Sequence, residues 1–217
     1  GDDNLALLTT GKLTIPPDGF NTASTGTPGD LRMVGQTDIT ATGGPLKFAA
    51  NDLYFRSGGA NGNANLETNV VTLDARLAAN NLAVDEVNDI TLNRTMTTTG
   101  SVTVTTKPGG NGFIVVGMVD AASGNQSATL SAAGRVDGLN NDGLFDVRGS
   151  TVDLTATSGG IGTTTRLEVT ATNELIALTA ADNSNILLDS LGNLPVRAVN
   201  AGLGDVSLNS TGNIDNS

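Results

Sequence analysis

Chemistry in this chain has to come from carboxylates. Histidine and cysteine are both absent. That removes imidazole and thiolate nucleophiles, their metal sites and the commonest acid–base side chain. The densest oxygen-rich run is Asp137-Gly-Leu-Asn-Asn-Asp-Gly-Leu-Phe-Asp146. Asp137, Asn140, Asp142 and Asp146 group oxygen ligands around a glycine turn, and such ligands suit Ca²⁺. The fit to an EF-hand loop is poor: with Gly143 as the turn glycine, Gly138 falls at the first ligand position and Gly149 at the last. The plainer expectation is a corner whose Asx side chains bond their own backbone. Calcium is therefore the one cofactor the sequence offers ligands for, and no catalytic residue is assigned.

The four glutamates, Glu67, Glu86, Glu168 and Glu174, are scattered. A carboxylate pair on one face would be the minimum for glycoside hydrolysis. Glu168 lies between Leu167 and Val169, so it is expected to point outward, and the glutamates read as solvated strand residues. Asn93, Asn125 and Asn209 begin glycosylation sequons, as chance allows in a chain so rich in Asn, Ser and Thr. The glycine runs are not phosphate loops, because no Lys-Ser/Thr follows them. Tyr54 and Phe20 are too few for a sugar-stacking platform.

The elements that would position these residues are short apolar-x-apolar triplets, the mark of a strand with one buried face. They include Val71/Leu73, Leu82/Val84, Ile90/Leu92, Val102/Val104, Ile114/Val116, Val152/Leu154, Leu167/Val169, Ile176/Leu178, Ile186/Leu188, Leu194/Val196 and Val206/Leu208. Asn, Gly, Asp or Ser separates most of them, which ends each strand in a turn. Ala78 to Val87 is alanine-rich, yet its apolar positions fit period 2 better than 3.6, and it reads as strand. Leu144-Phe-Asp-Val147 reads as a short element too. The expected core contains Leu154, Val169, Leu178, Leu188, Val196 and Leu208, with Asp153, Glu168 and Ser207 exposed.

The triplets return at a longer interval. Ile186 to Val206 and Leu194 to Ile214 are each about 20 residues apart, and Leu167 to Ile186 about one fewer. Val152 to Ile161 echoes Val206 to Ile214. This predicts an all-β, single-stranded, right-handed parallel β-helix of about 20 residues per coil, built as one continuous domain. Residues 1–65 read as irregular coils with long loops and 66–217 as regular coils. The composition agrees: 3% aromatic residues with no Trp, and 28 glycines, suit a narrow aliphatic stack with frequent corners.

A net charge of −11 argues against nucleic acid and anionic lipid as partners. No apolar run is long enough to span a bilayer. The absence of an initiator Met and of a signal peptide suggests a processed protein or a piece of a longer one.

Gly134-Arg-Val-Asp-Gly-Leu-Asn-Asn-Asp-Gly143, Leu154-Thr-Ala-Thr-Ser-Gly-Gly-Ile-Gly162, Leu167-Glu-Val-Thr-Ala171 and Gly204-Asp-Val-Ser-Leu-Asn-Ser-Thr-Gly-Asn-Ile214 resemble repeats of filamentous-haemagglutinin-like bacterial surface proteins. The resemblance covers about the last 150 residues. It implies a right-handed parallel β-helix, export to the bacterial surface or beyond it, and a structural or adhesive role. The functional expectation is a stalk or filament segment. The alternative is an adhesin recognising a glycan or cell surface through the loops Pro16–Asp30 and Ser57–Asn65. A polysaccharide-active enzyme is the third reading. Both ends of the chain look uncapped, so the expected partner is further coils or a second copy stacked end to end.

Overall fold

A computed structural model describes residues 4–22, 29–41, 44–59, 63–107, 111–180 and 184–217. It is an all-β solenoid of about nine turns, with parallel strands stacked about 22 residues apart. Among the described residues, 18 strands form one continuous pairing network, and Leu13–Ile15 pairs separately with Ile39–Ala41. Every strand pairing is parallel, and most join one coil to its neighbour in the stack. No described helix is long and apolar enough to cross a membrane.

The alternation read from the sequence becomes columns of like residues in the stack. One inward column runs Leu46, Leu66, Val84, Val104, Leu130, Leu154 and Ala177, each Cα-paired to the next. Another runs Ile90, Ile114, Val136, Ile161, Ile186 and Val206. These side chains are almost all fully buried until the last coil, and together the columns form one core cluster. Each buried aliphatic side chain contributes roughly 1.5–3 kcal/mol, and only the neighbouring coil can cover it. Ala78–Val87 contains the strand Leu82–Glu86, as its period indicates.

Coil length varies, and this is where the sequence register misleads. Leu46 pairs with Leu66, but Val102 pairs with Ala128. Ile186/Val206 and Leu194/Ile214 are true stacking pairs, whereas Leu167 stacks on Leu188 rather than on Ile186. The echo between Val152–Ile161 and Val206–Ile214 is not structural: Val152 stacks on Leu175, and Ile161 on Ile186.

Several side chains change face for the same reason. In Leu167–Thr179 the pairing slips against Val147–Ala156 between Gly149 and Thr151. The buried residues there become Leu175 and Ala177, and Ile176 and Leu178 turn outward and are half-buried. In Ala64–Leu77 the chain turns a corner after Val70, which is buried and leaves Val71 59% exposed. Val196 and Leu208, in the last coils, are half-buried against the core. Asp153 and Ser207 are half-buried rather than exposed. Leu144 is exposed and precedes the strand Val147–Ala156.

Leu188 is fully buried between Leu167 and Leu208. Leu188→Asp puts an unpaired carboxylate into that column and is expected to cost about 3–5 kcal/mol. Urea unfolding followed by circular dichroism measures this; an unchanged midpoint contradicts the assigned core.

Candidate functional site

The run from Asp137 to Asp146 forms an excursion between Val136–Gly138 and Val147–Ala156 that folds back over the next coil. Gly143, at φ +76°, makes its turn. Gly138 lies at a close approach, where an added Cβ would sit 2.6 Å from the Arg166 carbonyl oxygen and 2.7 Å from Asp146 Oδ2. The excursion covers Glu168. That residue alternates outward as its neighbours require, yet it is only 3% exposed. Outward in a solenoid is not the same as solvated, because a neighbouring coil can cover the outer face.

The buried carboxylates hold backbone donors. Glu168 accepts the N–H groups of Asp142 (3.2 Å) and Gly143 (2.8 Å). Asp146, 4% exposed, accepts the N–H of Glu168 at 2.9 Å through Oδ2. Asp142 accepts the N–H of Leu144 at 3.0 Å, the local Asx bond expected from the sequence. Asp137 turns away from this group: its Oδ1 accepts the N–H of Thr164 (3.0 Å), and Arg135 Nε lies 2.5 Å from its Oδ2. Arg135 stacks on Phe113, its guanidinium carbon 4.0 Å from the ring centre. Beyond the excursion, Arg148 is ion-paired to Asp120 and stacked on Phe145 at 4.3 Å.

The four residues read as calcium ligands are thus divided. Asp137 serves the Thr164 corner and Arg135, Asp142 and Asp146 flank Glu168, and Asn140 is exposed. Among the described residues no group of three or more carboxylates is placed to hold a metal ion. Calcium coordination here would require Asp137 to leave its two partners.

Burial, with the negative charges of Glu168 and Asp142 close by, pushes the Asp146 carboxyl up to about 7. A carboxyl in that range suits acid–base chemistry. Asp146 is, however, covered by the excursion and engaged with the Glu168 N–H.

A second buried glutamate repeats the device. Glu86 is 0% exposed; its two oxygens accept the N–H groups of Val70 (3.2 Å), Val87 (2.9 Å) and Asn88 (3.1 Å). Burial raises its carboxyl above the ordinary range against the opposing effect of those bonds. Period 2 already marks Glu86 as inward, in step with Leu82 and Val84. Its type argues for solvent, so the two local signals conflict at this position. For Glu168 the sequence carries no such signal, because the cover comes from a loop some 25 residues earlier in the chain.

The remaining glutamates form pairs or lie near the surface. Glu174 takes Arg197 at 3.1 Å and Thr151 at 3.2 Å, while Glu67 is half-buried. Of the loops read as contact surfaces, residues 23–28 and 60–62 lie outside the described residues. Phe20 is half-buried against the core, and Tyr54 is half-buried between Arg32 and Arg76.

No protein-family model, curated protein or solved structure matches the chain.

Two measurements check this arrangement. Glu168→Ala removes the acceptor for two loop amides, so Asp142 and Gly143 are expected to exchange hydrogen at least about tenfold faster while core amides keep their protection. Asp146 binds its proton more tightly folded (about 7) than at its ordinary value of 3.8. Its contribution to stability is therefore complete below about pH 4 and is lost as pH rises to and through about 7. Asp146→Asn cannot ionise, so its melting temperature relative to the parent is expected to be higher at pH 8 than at pH 5. A pH-independent difference would remove Asp146 from this role.

Proposed function

We propose that this chain is a rigid spacer segment, a stalk or filament portion, of a bacterial extracellular surface protein of the filamentous-haemagglutinin-like kind. The observation that carries the reading is how its buried carboxylates are used. Glu86, Glu168, Asp137 and Asp146 all accept backbone N–H groups from loops or from the adjoining coil. The side chains best suited to chemistry are committed to holding corners. The uninterrupted parallel ladder supports the same role, since about nine stacked turns at about 4.8 Å give a rod on the order of 45 Å.

The partner in this reading is another coil. Val206–Ser210 and Ile214–Asn216 pair with the preceding coil on one side. Their column residues Val206 and Ile214 stay 47% and 50% exposed. A coil stacked on them would bury both and satisfy the open strand edge.

Small-angle scattering of the chain, together with a polysaccharide-hydrolysis screen, tests the proposal. The expected result is the profile of a stiff rod with no turnover. Saturable turnover of any polysaccharide, or a flexible-chain profile, overturns it.

A further inference from the structure

The arginines of this acidic chain divide into two groups. Five are ion-paired: Arg76 with Asp74, Arg135 with Asp137, Arg148 with Asp120, Arg166 with Asp189 and Arg197 with Glu174. The other three, Arg32, Arg56 and Arg94, have no carboxylate partner among the described residues, although acidic residues outnumber basic ones 22 to 11. Those three are exposed and stand on one face.

The register fixes this placement. One outward column runs Arg32, Tyr54, Asp74, Arg94, and the adjacent one runs Val34, Arg56, Arg76, Met96. From Arg32 and Val34 to Arg94 and Met96, Asp74 is the sole carboxylate in the two columns, and Arg76 takes it with two bonds, Nε at 2.8 Å and Nη2 at 2.6 Å; the second column continues past Met96 to Asp120, which Arg148 holds. Arg56 and Arg76 are direct partners in neighbouring coils. Like charges so opposed destabilise a sheet unless an anion lies between them. Tyr54 holds the group in place: the guanidinium carbon of Arg32 lies 4.3 Å from its ring centre and that of Arg76 lies 5.6 Å away. The ring's neighbourhood is therefore taken by cations.

Beside this group, Arg56, Arg76 and Arg94 line a cleft of about 280 Å³ with Ser57, Ala78 and Met96. Its volume is near the lower end for small-molecule sites, about 300–1,000 Å³. That is more room than one tetrahedral oxyanion fills, so the ligand that fits has a body as well as a charge. The lining combines guanidinium forks, which match carboxylates and sulfates in bidentate geometry, with a hydroxyl and the apolar Ala78 and Met96. A pyranose with acidic substituents presents the same three kinds of surface. A long polyanion such as nucleic acid would meet the repulsion of a net charge of −11.

We propose that this face binds an acidic saccharide, a sugar unit bearing carboxylate or sulfate groups, in the cleft between Arg56, Arg76 and Arg94. The site lies on the solenoid's strand surface and does not depend on the spacer role. A rod that carries it is a spacer with a grip along its side.

Calorimetric titration of the intact chain tests the site with four probes: a trigalacturonate, a sulfated disaccharide, a neutral galactose trisaccharide and inorganic sulfate. The expected result is binding of at least one acidic saccharide, weakening as salt is raised, with neither the neutral sugar nor sulfate matching it. Arg56→Gln combined with Arg94→Gln is expected to lower affinity at least about tenfold. Arg197→Gln, an exposed arginine elsewhere, should leave affinity unchanged. Ala78→Phe fills the cleft without altering charge and should also abolish binding, which decides the matter if the double variant folds poorly. Equal binding of sulfate or of the neutral sugar, no binding of either acidic saccharide, or full affinity in Ala78→Phe overturns the proposal.

Discussion

The pairing of each coil with the next is the interaction on which everything else depends. Many strands here have only three to five residues, such as Ile114–Val116 and Val102–Thr106. Strands that short are marginal alone. Each is held by parallel hydrogen bonds on both sides and by apolar side chains that only the adjoining coils can cover. Register is therefore set locally, strand by strand. Coils of unequal length are tolerated because the surplus leaves as outward excursions and the next strand resumes the column. The slips at Gly149/Thr151, Leu73/Asp74 and Leu175/Ile176 are where that adjustment occurs.

Corners set the second constraint. A chain that turns every few residues carries backbone N–H groups past the ends of its ladders, and burying one unpaired is costly. The polar composition answers that need. Asparagine side chains of one coil accept N–H groups of the next: Asn63 from Asn81, Asn81 from Ser101, Asn185 from Asp205 and Asn193 from Asn213. Where the corner is buried, a carboxylate takes two or three donors at once, as Glu86 and Glu168 do. Threonine hydroxyls serve the carbonyl side, Thr22 donating to Gly29 and Thr106 to Gly112. The same logic distinguishes the arginines. Arg166 reaches Asp189, the Leu188 carbonyl and the Ser207 carbonyl, tying neighbouring coils together. Among the described residues Arg56 and Arg94 have no carboxylate partner, which is why their shared cleft stands apart from the rest of the outer surface.

The sequence by itself determined the class of fold. A period of two, broken by Asn, Gly and Asp between short triplets that return at intervals of about 20 residues, leaves short stacked strands as the arrangement that buries the aliphatic positions. It also determined most of the inward set, including Leu154, Val169 and Leu188, since alternation within a strand is a local property. The absence of histidine and cysteine, legible at once, narrowed the expected chemistry to carboxylates. Tertiary structure alone decided what lies across from what. Leu175 rather than Leu178 faces the core because the corner at Thr172–Asn173 carries one residue more than the corner it stacks on, so Leu175 stays in phase with Leu167 and Val169, and no local rule sets that corner's length. Glu168 is buried because a loop from the previous coil folds over it, and the arginines converge because strands of neighbouring coils happen to present them in adjoining columns. Local pattern specifies a strand and its faces; the variable length of the coils, which no single strand encodes, specifies the neighbours.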